Sequence, residues 1–95
     1  MKINTRTTAG IVSLEIEEQV TGIHEVQEIQ RVISSFNQNN TVELIFKDAY
    51  VMPSSLIGYL VTLVNVNNKK VIIDVQSELR NLIVELDLDK IFTIK

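Results

Sequence analysis

The chain is expected to fold as a single α/β domain over residues 1–95, a small, mostly parallel β-sheet flanked by helices. Two observations predict this. Residues 42–46 and 71–75 are nearly continuous apolar, β-branched runs, the pattern of strands covered on both faces in the middle of a parallel sheet. Each run follows an Asn-rich loop and precedes a helical pattern, so strands alternate with helices as right-handed crossovers require. A chain of 95 residues suffices for one modest core and not for two.

The elements follow in order. Residues 3–7 form a first strand whose apolar face rests on Ile3, and Ala9-Gly10 supplies a turn to its partner. In residues 12–17, Val12, Leu14 and Ile16 face one way and Ser13, Glu15 and Glu17 the other, a half-exposed strand. Thr21-Gly22 opens a helix, with Thr21 as N-cap; Ile23, Val26, Ile29, Val32, Ile33 and Phe36 make its apolar side. Residues 37–40 stop it with side chains that tolerate turns.

A middle helix over residues 54–64 carries two apolar stripes. Ile57, Leu60, Val61 and Val64 form one; Leu56, Tyr59 and Leu63 form the other, leaving Ser54, Gly58, Thr62 and Asn65 as a small or polar strip. A helix on one sheet face needs a single apolar side, so either neighbouring helices or a docking partner covers the second stripe. The last helix starts at Ser77, an N-cap residue, with Glu78 at its positive end. Leu79, Leu82, Ile83 and Leu86 are its expected buried stripe, residues 87–90 end it, and residues 91–94 close the sheet.

Composition excludes several functions. A net charge of −3 with no basic block argues against nucleic acid, Lys69-Lys70 being only a strand-edge pair. The absence of cysteine removes disulfides and thiolate chemistry. No signal-peptide core or membrane-length run is present, so the expected location is the cytoplasm. His24, the single histidine, falls on the polar side of its helix, as a solvated side chain does. Asp87 and Asp89 read as solvated carboxylates rather than a metal site, and Glu15, Glu17 and Glu18 as a solubilising strand edge. No HExxH, phosphate loop or Ser/His/Asp grouping occurs, so neither an enzyme nor a cofactor is expected.

What remains is the segment at residues 51–60, where Pro53 forces a turn and two serines open the middle helix. Helix N-termini carry unsatisfied N–H groups and a partial positive charge, which favour a phosphate or carboxylate. Ser54, or as second choice Ser55, therefore either caps the helix or accepts a phosphoryl group.

The chain resembles, over essentially its whole length, the STAS domain of anti-sigma factor antagonists. Those domains carry an apolar strand, a short loop and a motif of the form Asp-Ser-Ser/Thr-Gly-Leu-Gly opening a helix; here the stretch reads Pro53-Ser54-Ser55-Leu56-Ile57-Gly58. The family's Gly-Leu-Asp-Lys-like segment corresponds to Leu86-Asp87-Leu88-Asp89-Lys90. The resemblance implies a STAS-like fold and a regulatory module that binds a partner serine kinase, itself an anti-sigma factor. It also implies phosphorylation at the position of Ser54, reversed by a phosphatase. That implied docking region coincides with the loop at residues 48–53 and the second apolar stripe of the middle helix, so the expected partner-binding residues are Asp48, Tyr50, Met52, Pro53, Leu56, Tyr59 and Leu63. Pro53 and Leu56 stand where the family has Asp and Gly. Two alternatives stay open: an unphosphorylated STAS-like accessory subunit, of an ABC transporter or signalling assembly, and a sensor of a small anion or nucleotide.

Overall fold

The computed structural model describes residues 2–36, 38–49 and 51–95. Asn37, in the expected helix stop, and Tyr50, in the expected docking loop, lie outside the described residues. The order is β1 (Ile3–Thr8), β2 (Ile11–Ile16), α1 (Ile23–Ser34), β3 (Thr41–Phe46), α2 (Ser54–Asn65), β4 (Lys70–Asp74), α3 (Ser77–Glu85) and β5 (Thr93–Ile94), with a 3₁₀ turn at Leu88–Lys90. The strands form one five-stranded sheet in the order β1-β2-β3-β4-β5. Among the described residues only the β1–β2 pair is antiparallel. This is the mostly parallel α/β sheet expected.

Chain order equals sheet order, and that decides where the helices go. Every crossover steps one strand in the same direction, so crossovers of a single hand place α1, α2 and α3 on the same face. Burial agrees. Val12, Leu14, Ile16, Val42, Leu44, Phe46, Val71, Ile73 and Val75 are buried in one core with the helices. Their alternates Ser13, Glu15, Glu43, Ile45, Ile72 and Asp74 are only half-buried. The expectation that residues 42–46 and 71–75 are covered on both faces is therefore corrected: one face is packed and the other is open. The signal was the single acid inside each run, Glu43 and Asp74. Ile45 and Ile72, half-buried on the open face, made the runs look continuous.

The β1–β2 hairpin turns on Ala9 and Gly10, with φ of 49° and 84°. Two successive positive φ values give the two-residue turn whose twist matches the strands. Gly10 takes this conformation freely, whereas the Ala9 Cβ crowds the following carbonyl at a cost of about 1 kcal/mol. Asn relieves that cost, so Ala9→Asn is expected to raise the midpoint of thermal unfolding by roughly 4 °C or more. A melt unchanged from wild type would contradict this account of the turn.

In α1 and α3 the N-cap lies one residue from the expected position. Gly22, not Thr21, is the extended residue before α1. Glu25 reaches back to accept a hydrogen bond from Thr21 Oγ1 at 3.1 Å. That bond above all, helped by the backbone N–H groups of Gly22 and Thr21, holds the Glu25 carboxyl below its ordinary value. This is the reciprocal half of a capping box. Gln76 precedes α3 in extended conformation, leaving Ser77 as the first helical residue. In α3 only Leu79 and Ile83 are buried, while Leu82 and Leu86 are exposed. Asp87, at φ 59°, stops the helix, after which Leu88 and Phe92 fold back into the core.

The open face is held by a polar cluster. Ser13 Oγ donates to Glu43 Oε1 at 2.8 Å, and Lys95 Nζ donates to Glu43 Oε2 at 2.5 Å. The Lys95 hydrogen bond, then the Ser13 one, hold the Glu43 carboxyl below its ordinary value against the smaller opposing effect of burial. A carboxyl lowered on folding stabilises the protein above its unfolded value, about 4.3 for Glu, and loses that contribution as pH falls through the folded value. Thermal melts from about pH 5 downward should thus show wild type losing stability more steeply than Glu43→Gln. Parallel pH profiles for the two proteins would refute the assignment.

Candidate functional site

The site is built where β3 gives way to α2. The Lys47 N–H donates to the Ile16 carbonyl at 3.0 Å, the last rung of the β2–β3 ladder. Two side-chain amides then fix the loop from either side. Gln76 Nε2 donates to the Lys47 carbonyl at 2.5 Å, and Gln19 Nε2 donates to the Asp48 carbonyl. Each glutamine sits in the loop after a neighbouring strand, so the three crossovers are laced together at the carboxyl end of the sheet. Carbonyls tied by such bonds do not need the regular ladder they have just left. Ala49 and Met52 point into the core while Val51 is 51% exposed. An inward residue on either side of an outward one anchors the loop and presents Val51.

Pro53 occupies the N-cap of α2 with φ −59° and ψ 144°. Its carbonyl accepts from the N–H groups of Leu56 at 3.0 Å and Ile57 at 3.1 Å. Ser54 is thus the first helical residue and Ser55 the second, both exposed. Their N–H groups have no acceptor within the helix. The Ser54 hydroxyl makes no hydrogen bond among the described residues, so it does not cap the helix: the cap position is taken by a residue with no side-chain acceptor. α2 also has no acidic residue in its first turn, whereas α1 has Glu25 and α3 has Glu78. The other two α-helices carry an anion of their own at the positive end; α2 leaves that place open. Residues 48–65 contain no Lys or Arg, so a free anion finds no counter-charge in this segment.

The expected docking residues divide. Asp48 is exposed, and Pro53 and Tyr59 are half-buried. Met52 at 8%, Leu56 at 0% and Leu63 at 5% exposure belong to the core, which corrects their assignment to a partner-binding surface. Leu56, Leu60 and Leu63 are the inward stripe of α2, and Ile57, Tyr59, Val61 and Val64 flank it, partly buried. α1 packs beside α2, so a neighbouring helix covers much of what periodicity left without a partner. Sequence reasoning missed two contributors, Gln19 and Gln76, whose role depends on which loops become neighbours; exposed Val51 lies within the expected docking loop. Ile23, 55% exposed at the start of α1, stands at the same end of the sheet.

Other residues have ordinary surroundings. His24 is exposed. Asp87 pairs with Lys90 at 3.8 Å, Glu15 with Lys47 at 3.9 Å and Glu17 with Lys2 at 3.7 Å. Among the described residues no helix is long and apolar enough to cross a membrane. Compared with known proteins, the chain matches no family model and no curated sequence.

Proposed function

We propose that this chain is a non-enzymatic, cytoplasmic protein-binding module of the anti-sigma-factor-antagonist type. It docks a partner serine kinase through the loop at residues 48–53 and the start of α2, and phosphorylation of Ser54 switches that contact. One observation carries the reading: among the described residues, Ser54 is exposed and its hydroxyl unbonded at the first position of the one α-helix whose first turn holds no acid. A kinase reaches such a hydroxyl without unfolding anything. The phosphate formed brings nearly two negative charges to N–H groups that have no other acceptor.

The two departures from the family motif fit this reading. Leu56 replaces a motif glycine, and its side chain is wholly buried, so it puts no bulk in the path of a kinase. Pro53 replaces the acid and serves as the abrupt helix start. Val51 and Ile23 are exposed apolar side chains at the same end of the sheet, and exposed apolar groups near a switchable charge suit a partner that must come off. The scarcity of basic residues in residues 48–65 speaks against the anion sensor. The test is phosphopeptide mapping after incubation with ATP and the co-purifying kinase. Phosphate is expected on Ser54 and absent from Ser54→Ala. A folded chain that binds the kinase yet stays unmodified would replace this reading with that of an unswitched accessory subunit.

A further inference from the structure

We propose that β1 is a dimerisation edge, along which a second copy of this chain pairs antiparallel to make a continuous sheet of two subunits. The sheet has two edges, and they differ. β5 is two residues long and is followed at once by Lys95, whereas β1 presents six residues with no proline and one charged side chain, Arg6. Short, charged edges discourage pairing; long, unguarded ones invite it.

The hydrogen-bond phase of β1 identifies the groups on offer. The register pairs Ile3 with Ile16, Asn4 with Glu15, Thr5 with Leu14, Arg6 with Ser13, Thr7 with Val12 and Thr8 with Ile11. The Glu17 N–H donates to the Lys2 carbonyl at 3.5 Å, and a two-residue turn closes on a hydrogen-bonded pair, Thr8 with Ile11. Alternation then makes Asn4 and Arg6 the bonded positions, so Ile3, Thr5 and Thr7 direct their N–H and C=O groups away from β2.

A second copy fits this edge in one register without conflict. A two-fold axis at Thr5 places Thr5 opposite Thr5 of the other copy and Ile3 opposite its Thr7. In that register every outward N–H and C=O of Ile3, Thr5 and Thr7 finds a partner. On the open face Arg6 falls opposite Asn4 of the other copy, so no like charges meet. Beyond that Asn4 lies Glu15, its partner across β1–β2. Backbones two strand spacings apart, roughly 10 Å, are within reach of a paired arginine and glutamate. A centre at Arg6 would instead oppose two arginines. The edge is thus complementary to itself in charge as well as in hydrogen bonding.

Sedimentation velocity over a concentration series tests this on wild type, Thr5→Pro and Thr5→Lys, with far-UV circular dichroism on each. Proline at position 5 removes an N–H that β2 does not use, and lysine sets two like charges face to face at the axis. Wild type should show a concentration-dependent dimer that each folded variant weakens about tenfold or more. Should Thr5→Pro fail to fold, Thr5→Lys decides alone. A wild-type chain that stays monomeric up to about 1 mM, or a dimer equally strong in the folded variants, would overturn the proposal. The former result would leave the edge to an extended segment of another protein.

Discussion

Leu56→Asp is expected to unfold the domain. Leu56 is wholly buried, in one core with Leu60, Leu63 and the inward residues of the strands. Removing a buried leucine side chain costs about 2–5 kcal/mol through lost transfer and the cavity left behind. The carboxylate adds several kcal/mol more, either as a buried charge or as the work of keeping it protonated. A domain of this size has about 5–15 kcal/mol in all. Circular dichroism and a thermal melt read the outcome: loss of cooperative unfolding at 25 °C is predicted. A folded Leu56→Asp protein would mean that α2 is rotated from the orientation described.

Ser54→Asp should behave in the opposite way. The position is exposed, so no packing is lost, and a carboxylate in the first turn of α2 complements the helix dipole by about 0.3–1 kcal/mol. Stability should therefore hold or rise slightly. Binding should not hold, because the new charge follows exposed Val51 by three residues and must be desolvated or repelled when a partner covers this segment. A loss of at least tenfold in affinity, about 1.4 kcal/mol, is expected. The contrast between residues 54 and 56, two apart in the chain, separates a fold contact from a docking contact.

Much of this was legible in the sequence. The alternation in residues 12–17 marks a half-exposed strand, found at Ile11–Ile16, and Ala9-Gly10 marks the turn. The order of elements came from runs and loop residues that report local preference directly. Ser54 is legible at a helix start because Pro53 favours an abrupt start and the apolar periodicity begins only after it. What was not legible depends on neighbours. Whether residues 42–46 are covered on one face or two is set by sheet order; the local hint, Glu43, is masked by the apolar Ile45 on the same face. Which stripe of α2 faces inward depends on where α1 lies, so Leu56 and Leu63 were assigned to the surface although both are core. Leu82 and Leu86 have the spacing of a buried stripe, yet both are exposed on α3. The loop ties from Gln19 and Gln76 carry no local signature, since each needs a strand that is distant in the chain.

The central claim is that the start of α2 is a docking surface whose state is set at Ser54. Calorimetric titration of the co-purifying serine kinase with wild type, Ser54→Ala and Ser54→Asp tests it most directly, with a melt of each protein alongside. The account predicts near-equal affinity for wild type and Ser54→Ala, at least tenfold weaker binding by Ser54→Asp, and intact folding in all three. Equal affinity across the three folded proteins would contradict it and place the partner on another surface.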